Sequence, residues 1–381
     1  GEDNLLGGCI DPASGYAWFG TDTAPGRVVK IALGAGNTPP SRVAGMIAEV
    51  GENNFVSCVA DLPAGRAYFG TGTSPGRIIK IDLGTGNAAP LRIGALTLPS
   101  GENDLRTALI DPANTNAYFG TNTVPGRVIK IALGGAGEVP VRLGAVTLSA
   151  GEDNLRSATI DTSGGYAYFG TMTSPGRVVK VSLGAGSGAP ARVGAVTLPA
   201  TETRLWCAAL DAVNGYAYFG TDAQPAYVIK VALGSGAAAP TRTASLQLSS
   251  EEHYIHSTVI DEINGYAYFG TNTIPGRVIK VKLGNGAEPP RRVGSVTLNN
   301  GEERLHVGVI DAANGYAYFA TNTTPIRIIK IALGTGDAPP ARVASRTLAA
   351  GEGPVRRAMV IDTQRDFLYV GTFTSPPKIV K

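Results

Sequence analysis

The sequence predicts an all-β fold: a single eight-bladed β-propeller of four-stranded repeats about 50 residues long, with the last blade incomplete. Three observations carry this. The run Tyr166-Ala167-Tyr168-Phe169-Gly170-Thr171 returns as Tyr216 to Thr221 and Tyr266 to Thr271, with close variants such as Tyr16-Ala17-Trp18-Phe19-Gly20-Thr21. A glutamate keeps the same step, at Glu2, Glu52, Glu102, Glu152, Glu202, Glu252, Glu302 and Glu352. The 51 glycines and 25 prolines among 381 residues call for frequent tight turns rather than long helices. Copies at a fixed period mean one supersecondary unit, stacked so that each copy buries a face it cannot bury alone.

The glutamates set the blades at 1–50, 51–100, 101–150, 151–200, 201–250, 251–300 and 301–350, with an incomplete one at 351–381. In the copy from Gly151 to Ala200, four strands are expected. Strand A is Leu155 to Asp161, small and apolar; strand B is Tyr166 to Thr171; strand C is Arg177 to Leu183; strand D is Arg192 to Leu198. Asn214-Gly215, Asn264-Gly265 and Asn314-Gly315 lie between A and B, where a tight hairpin needs positive φ. The preceding aspartates, Asp11, Asp61, Asp111, Asp161, Asp211, Asp261, Asp311 and Asp362, are placed to cap the turn amides. A proline such as Pro175 precedes each strand C, where a missing donor harms no ladder. The segment from Leu33 to Pro40 and its copies form the C-to-D loop, and Gly20 and its copies allow close approach of neighbouring blades.

Lys30 and its copies on strand C, and Arg42 and its copies on strand D, recur as strictly as the apolar positions. They are expected along the outer blade edges, where charge discourages sheet-to-sheet pairing, or as a basic surface for an acidic polymer. The net charge of +3 is too small and too evenly spread for a nucleic-acid footprint, and no apolar run reaches the roughly 20 residues of a membrane span. Neither nucleic acid nor membrane insertion is expected. No charged-then-apolar leader opens the chain at Gly1. Cys9, Cys58 and Cys207 fall singly in strands A and read as small buried hydrophobes, not as a disulfide framework or a zinc site. No cofactor is implied. Motifs for a nucleophile elbow, a phosphate loop or a zinc protease are missing, so catalysis is not the favoured reading.

Ile160-Asp161, Tyr166 to Gly170, Val178 to Val181 and Arg192 to Leu198 recur in order through every repeat. This order resembles the YVTN-type β-propeller repeats of microbial surface and secreted proteins. It departs from them in the Phe-Gly-Thr ending of strand B and in the longer C-to-D loop. The resemblance implies an extracellular or cell-surface module that binds or scaffolds, with a surface protein, a glycan or copies of itself as partner. A propeller enzyme or lectin-like protein acting on a sugar or polymer at the channel mouth is the alternative.

Where the copies disagree, architecture no longer dictates the residue. Disagreement gathers at the approach to strand A and in the B-to-C loop, which share one face of a propeller. Repeats five and six depart most, placing Arg204, Trp206, Tyr227, His253, Tyr254 and His256 near His306 of the next blade. Aromatic rings beside Arg and His suit a polar, planar or sugar-like ligand. His253 and His256 are three apart in an extended segment and point to opposite faces, so no metal is expected there. Asn322-Thr323-Thr324 is a single glycosylation sequon, followed by Pro325. The eighth copy has strands A and B and only part of C. Two readings stand: further residues complete the blade, or a neighbouring subunit packs on the edge at Lys378, Ile379, Val380 and Lys381 in a head-to-tail contact that propagates into a filament.

Overall fold

A computed structural model describes residues 2–356 and 358–381; Gly1 lies outside the described residues. The fold is an eight-bladed β-propeller of seven four-stranded antiparallel sheets and one three-stranded sheet, each strand pairing with its sequence neighbours. In the fourth blade the strands are Leu155–Asp161, Tyr166–Thr171, Arg177–Ser182 and Ala191–Thr197, within a residue of the sequence expectation. In the eighth they are Met359–Asp362, Phe367–Gly371 and Ile379–Val380, with no strand D among the described residues. The only helix among them is a single 3₁₀ turn at Pro112–Asn114.

The chain falls into two compact units. The first runs through Ser149 and takes in the loop Leu183–Ala191 and the segment Val355–Lys381; the second comprises Ala150–Ser182 and Arg192–Pro354. In the first unit the eighth blade packs directly on the first. Leu5, Ala17, Phe19, Val29 and Ile31 share a core with Ala358 and Tyr369, and the Leu5 amide donates to the Thr372 carbonyl. The two meet face to face, and neither end of the chain lends a strand to the other blade.

Within each unit the layers between blades follow one recipe. Tyr168, Val178 and Leu198 of the fourth blade close on Leu205, Ala217, Phe219, Ile229, Val231 and Leu233 of the fifth. Strand B explains why both faces are apolar: successive side chains alternate, so Tyr168 faces one neighbour and Phe169 the other. A Cβ added at Gly170 would stand 2.8 Å from Leu205 Cβ, so this position needs glycine for the blades to approach.

The A-to-B turns differ from the Asn-Gly hairpin expected. In Asn214-Gly215 the glycine alone takes positive φ, at 76°, the turn is four residues long, and Thr115 and Asp366 hold that position in blades three and eight. The asparagine instead turns its side chain back, Asn214 Nδ2 donating to both Asp211 carboxylate oxygens at 3.0 Å. The aspartates cap as expected; Asp161 accepts the Gly164 amide and Asp261 the Asn264 amide.

The strand-C lysines do not line outer edges. Lys30, Lys80, Lys130, Lys180, Lys230 and Lys280 are all 0% exposed. Strand C pairs with B on one side and D on the other, so its side chains face the neighbouring blade, and the lysine follows them. Lys180 Nζ lies 3.9 Å from the Tyr166 ring centre and donates to the carbonyls of Gly234, Gly236 and Ala238 in the next C-to-D loop. Burial lowers the ammonium pKa, and these carbonyls and the ring face replace the lost water. Beside it, the Tyr168 hydroxyl donates to the Leu233 carbonyl at 3.0 Å.

The strand-D arginines are not free edge charges either. Arg192 holds Glu152 of its own repeat through Nε and Nη2, at 2.8 and 2.5 Å. Similar forks join Arg92 to Glu52, Arg142 to Glu102 and Arg342 to Glu302, tying the approach to strand A onto strand D.

Candidate functional site

The approach to strand A is built on an unusual backbone. The fourth residue of seven repeats has left-handed φ: Asn4, Asn54, Asp104, Asn154, Arg204, Tyr254 and Arg304, all between 48° and 58°. Hydrogen bonds explain the conformation. The Arg204 amide donates to the Thr173 carbonyl of the preceding blade, while the Arg204 carbonyl accepts from the Asp222 amide of its own. Tyr254 is held in the same way by Ala223 and Asn272, and Arg304 by Thr273 and Asn322. Only a left-handed residue turns both groups to these partners. Asn and Asp adopt that conformation readily, whereas a long or aromatic side chain pays roughly 1–2 kcal/mol. Blades five, six and seven therefore carry Arg, Tyr and Arg against the local rule, and Arg204 and Arg304 leave their side chains exposed.

Two residues on, the sixth position supplies the floor of this surface. In the second unit it reads Arg156, Trp206, His256 and His306. Trp206 lies between its neighbours: the Arg156 guanidinium is 4.2 Å from its ring centre, and His256 stacks at 4.1 Å with planes 8° apart. His256 then meets His306 edge to face at 4.9 Å. A hydrogen-bond chain runs through the same groups, with His256 Nε2 3.0 Å from Asp222 Oδ1 and His256 Nδ1 3.3 Å from His306 Nε2. An ionised carboxylate only accepts, so His256 donates from Nε2 to Asp222. His306 Nε2 is also 3.2 Å from Asn272 Oδ1. Burial pushes the Asp222 carboxyl up, but the His256 bond and the Arg204 and Arg156 charges outweigh it and hold the group below its ordinary range.

The predicted residues separate into three groups. Trp206, His256 and His306 come together on blades five to seven, and Arg204 reaches the same Asp222 that His256 holds, while the Tyr254 ring meets His253. His253 lies at the margin, its Nδ1 2.9 Å from the Ser250 carbonyl and its ring edge-on to Tyr254. Tyr227 packs on the apolar layer of Tyr168, Val178 and Leu198. Asn322 sits beside Arg304, its amide bonded to the Arg304 carbonyl. Of the edge residues, Ile379 and Val380 pair with Gly371 and Val370, the Lys378 amide donates to Thr372 Oγ1, and Lys381 Nζ caps the Leu33, Gly34, Gly36 and Thr38 carbonyls.

Arg156 and Arg304 were not singled out from the sequence. Register could have found both, since they occupy the same repeat positions as Trp206 and Arg204. Among the described residues no three His, Cys or acidic side chains converge as a metal cluster. A cleft of about 500 Å³ lies at the far end of strands A in blades six and seven, lined by Asp261, Asn264, Tyr266, Asn314 and Tyr316, and holds none of the predicted residues.

No protein-family model matches the chain, and no curated protein matches it in sequence. Solved structures do match in fold. Sqt1 of Chaetomium thermophilum, bound to the N-terminus of the ribosomal protein L10, aligns with a TM-score of 0.70 and 12% identity over 97% of this chain and 94% of that one. The C-terminal WD40 domain of Sif2 aligns at 0.68 and 11% over 100% and 96%, and a putative 6-phosphogluconolactonase of Bacteroides uniformis at 0.64 and 10% over 91% and 96%. At such identities the likeness is one of fold, and it places the chain among eight-bladed and related β-propellers.

Proposed function

We propose that the protein is a non-catalytic, secreted or surface-displayed binding module that takes an acidic, extended polypeptide segment on the rim of blades five to seven. One observation carries this: Arg204, Tyr254 and Arg304 occupy left-handed positions that other blades give to Asn or Asp. Strain kept in three successive blades, with two of the side chains exposed, is the mark of residues retained for contact rather than for folding. The exposed Arg204 and Arg304 favour a negatively charged partner. Trp206, enclosed between Arg156 and His256, serves to hold His256 in place and offers no open ring face to a sugar. Sqt1 bound to a ribosomal-protein terminus is a precedent for a propeller of this kind receiving a peptide. The secreted or surface setting rests on the YVTN-type resemblance, and glycosylation at Asn322 belongs to the same setting.

The test is an array of acidic, tyrosine-bearing peptides probed with the wild-type protein and with the variant Arg204→Asn/Tyr254→Asn/Arg304→Asn. The expected result is binding that falls at least tenfold in the variant while its melting temperature rises. Equal binding by both proteins sinks the proposal, as does binding confined to a glycan array.

A second reading, an enzyme at the same rim, is favoured by the His306, His256 and Asp222 chain and by the lactonase-described neighbour. It requires turnover of a lactone or glycoside that His256→Ala abolishes.

A further inference from the structure

Two of the three cysteines are set against each other by the fold. Both lie in the first unit, Cys9 in strand A of blade one, Leu5–Asp11, and Cys58 in the neighbouring strand A of blade two, Phe55–Asp61. A Cβ added at Gly7 would stand 3.5 Å from Cys58 Cβ, so the first strand passes Cys58 at side-chain distance. Cys9 is the ninth residue of its repeat and Cys58 the eighth. The same offset meets again in blades six and seven, where a Cβ added at Gly308 would stand 3.3 Å from Val259 Cγ1. The thiols themselves are within hydrogen-bond reach: the Cys9 thiol, together with burial, pushes the Cys58 thiol well above its ordinary range.

The repeat does not ask for thiols here. At the corresponding positions blades two and three carry Val59 and Ala108, and blades five and six carry Ala209 and Thr258. Cys9 and Cys58 are both half-buried at the margin of the layer that holds Trp18, Phe55 and Phe69, so a small reagent can reach them. Cys207 is a different case. It belongs to the second unit, it is buried, and burial pushes its thiol up to about 12.

We propose that Cys9 and Cys58 close into a disulfide that joins strand A of blade one to strand A of blade two, formed by exchange with a low-molecular-weight disulfide. One protein thiolate attacks a sulfur of the small disulfide, giving a mixed disulfide and releasing one small thiol. The second protein thiolate then attacks the protein sulfur of that mixed disulfide and releases the other small thiol. Two protein thiols are oxidised, the small disulfide is reduced, and the two protons leave on the released thiols. The bond encloses one repeat's length of chain and so removes freedom from the unfolded state. It is independent of the rim of blades five to seven, and failure of either proposal leaves the other standing.

The test incubates the intact, reduced protein with oxidised glutathione, blocks remaining thiols with iodoacetamide in denaturant, and reads the digest by mass spectrometry. The expected product is monomeric protein in which the Cys9 and Cys58 peptides are joined with loss of two hydrogens, while Cys207 is alkylated. Its melting temperature should rise by about 3–6 °C over the reduced protein. Dithiothreitol should reverse the rise, and Cys58→Ala treated alike should show none. Glutathione adducts that persist on Cys9 or Cys58, a bond to Cys207, or a bond between two molecules overturns the proposal. So does full alkylation of all three cysteines, or a joined product whose melting temperature does not rise.

Discussion

The lysine layers and the strand-A rim answer opposite demands. In the layers, blades one to six solve one problem alike: a buried ammonium meets carbonyls of the next C-to-D loop. At the rim the blades diverge, and three of them place Arg or Tyr at a left-handed position that four others give to Asn or Asp. Uniformity marks what the fold needs, and divergence at a cost marks what something else needs.

The contrast breaks most visibly if a layer lysine is removed. Lys180→Met should lower stability by about 2–3 kcal/mol, because the Gly234, Gly236 and Ala238 carbonyls lose their donor; urea unfolding measures it, and a change below about 0.5 kcal/mol would show that water replaces the ammonium freely. Acid is the next lever. Burial pushes the Glu302 carboxyl up, but Arg342, Ser345 and the Asn299 amide outweigh it and hold the group at about 2 against an ordinary 4.5. The folded pKa is the lower one, so its stabilisation is complete above about 4.5 and lost as pH falls toward 2. Glu302→Gln should accordingly show a shallower acid limb in melting temperature between those values. Tyr218→Phe removes one bond to the Leu283 carbonyl and should cost about 1 kcal/mol. The smallest effect has the opposite sign: Arg204→Asn should stabilise by about 0.5–1 kcal/mol through relief of the left-handed strain, read as a raised urea midpoint.

Much of this was legible. The strict period gave the blades, and the Asp followed three residues later by Asn or Gly gave the turn caps, because both are local. The strand-C lysine was misplaced at an outer edge because its partners are backbone carbonyls about 54 residues on, which no side-chain pattern announces. Its place inside Val178-Val179-Lys180-Val181, on a strand flanked by two others, held the correct answer. The Glu152 and Arg192 pair escaped for a related reason: both rows were visible, but only folding brings residues 40 apart into one fork. At the rim, comparison of copies found Trp206, His256 and His306. It missed Arg156, since an arginine shared by repeats three and four looks ordinary until it lies over Trp206.

The lysine and the glycine loop have a consequence for how such a chain can be lengthened or shortened. Each of the first seven repeats carries both a plug and a socket, its own loop for the preceding neighbour and its own ammonium for the following one. No repeat records how many others there are. Excising residues 101–150 would bring Lys80 to the loop at Leu183 to Pro190, which now serves Lys130, so every joint would be remade with the same parts. The number of blades is therefore a property of the gene's count of copies, and only the angle between neighbours has to absorb a change in it.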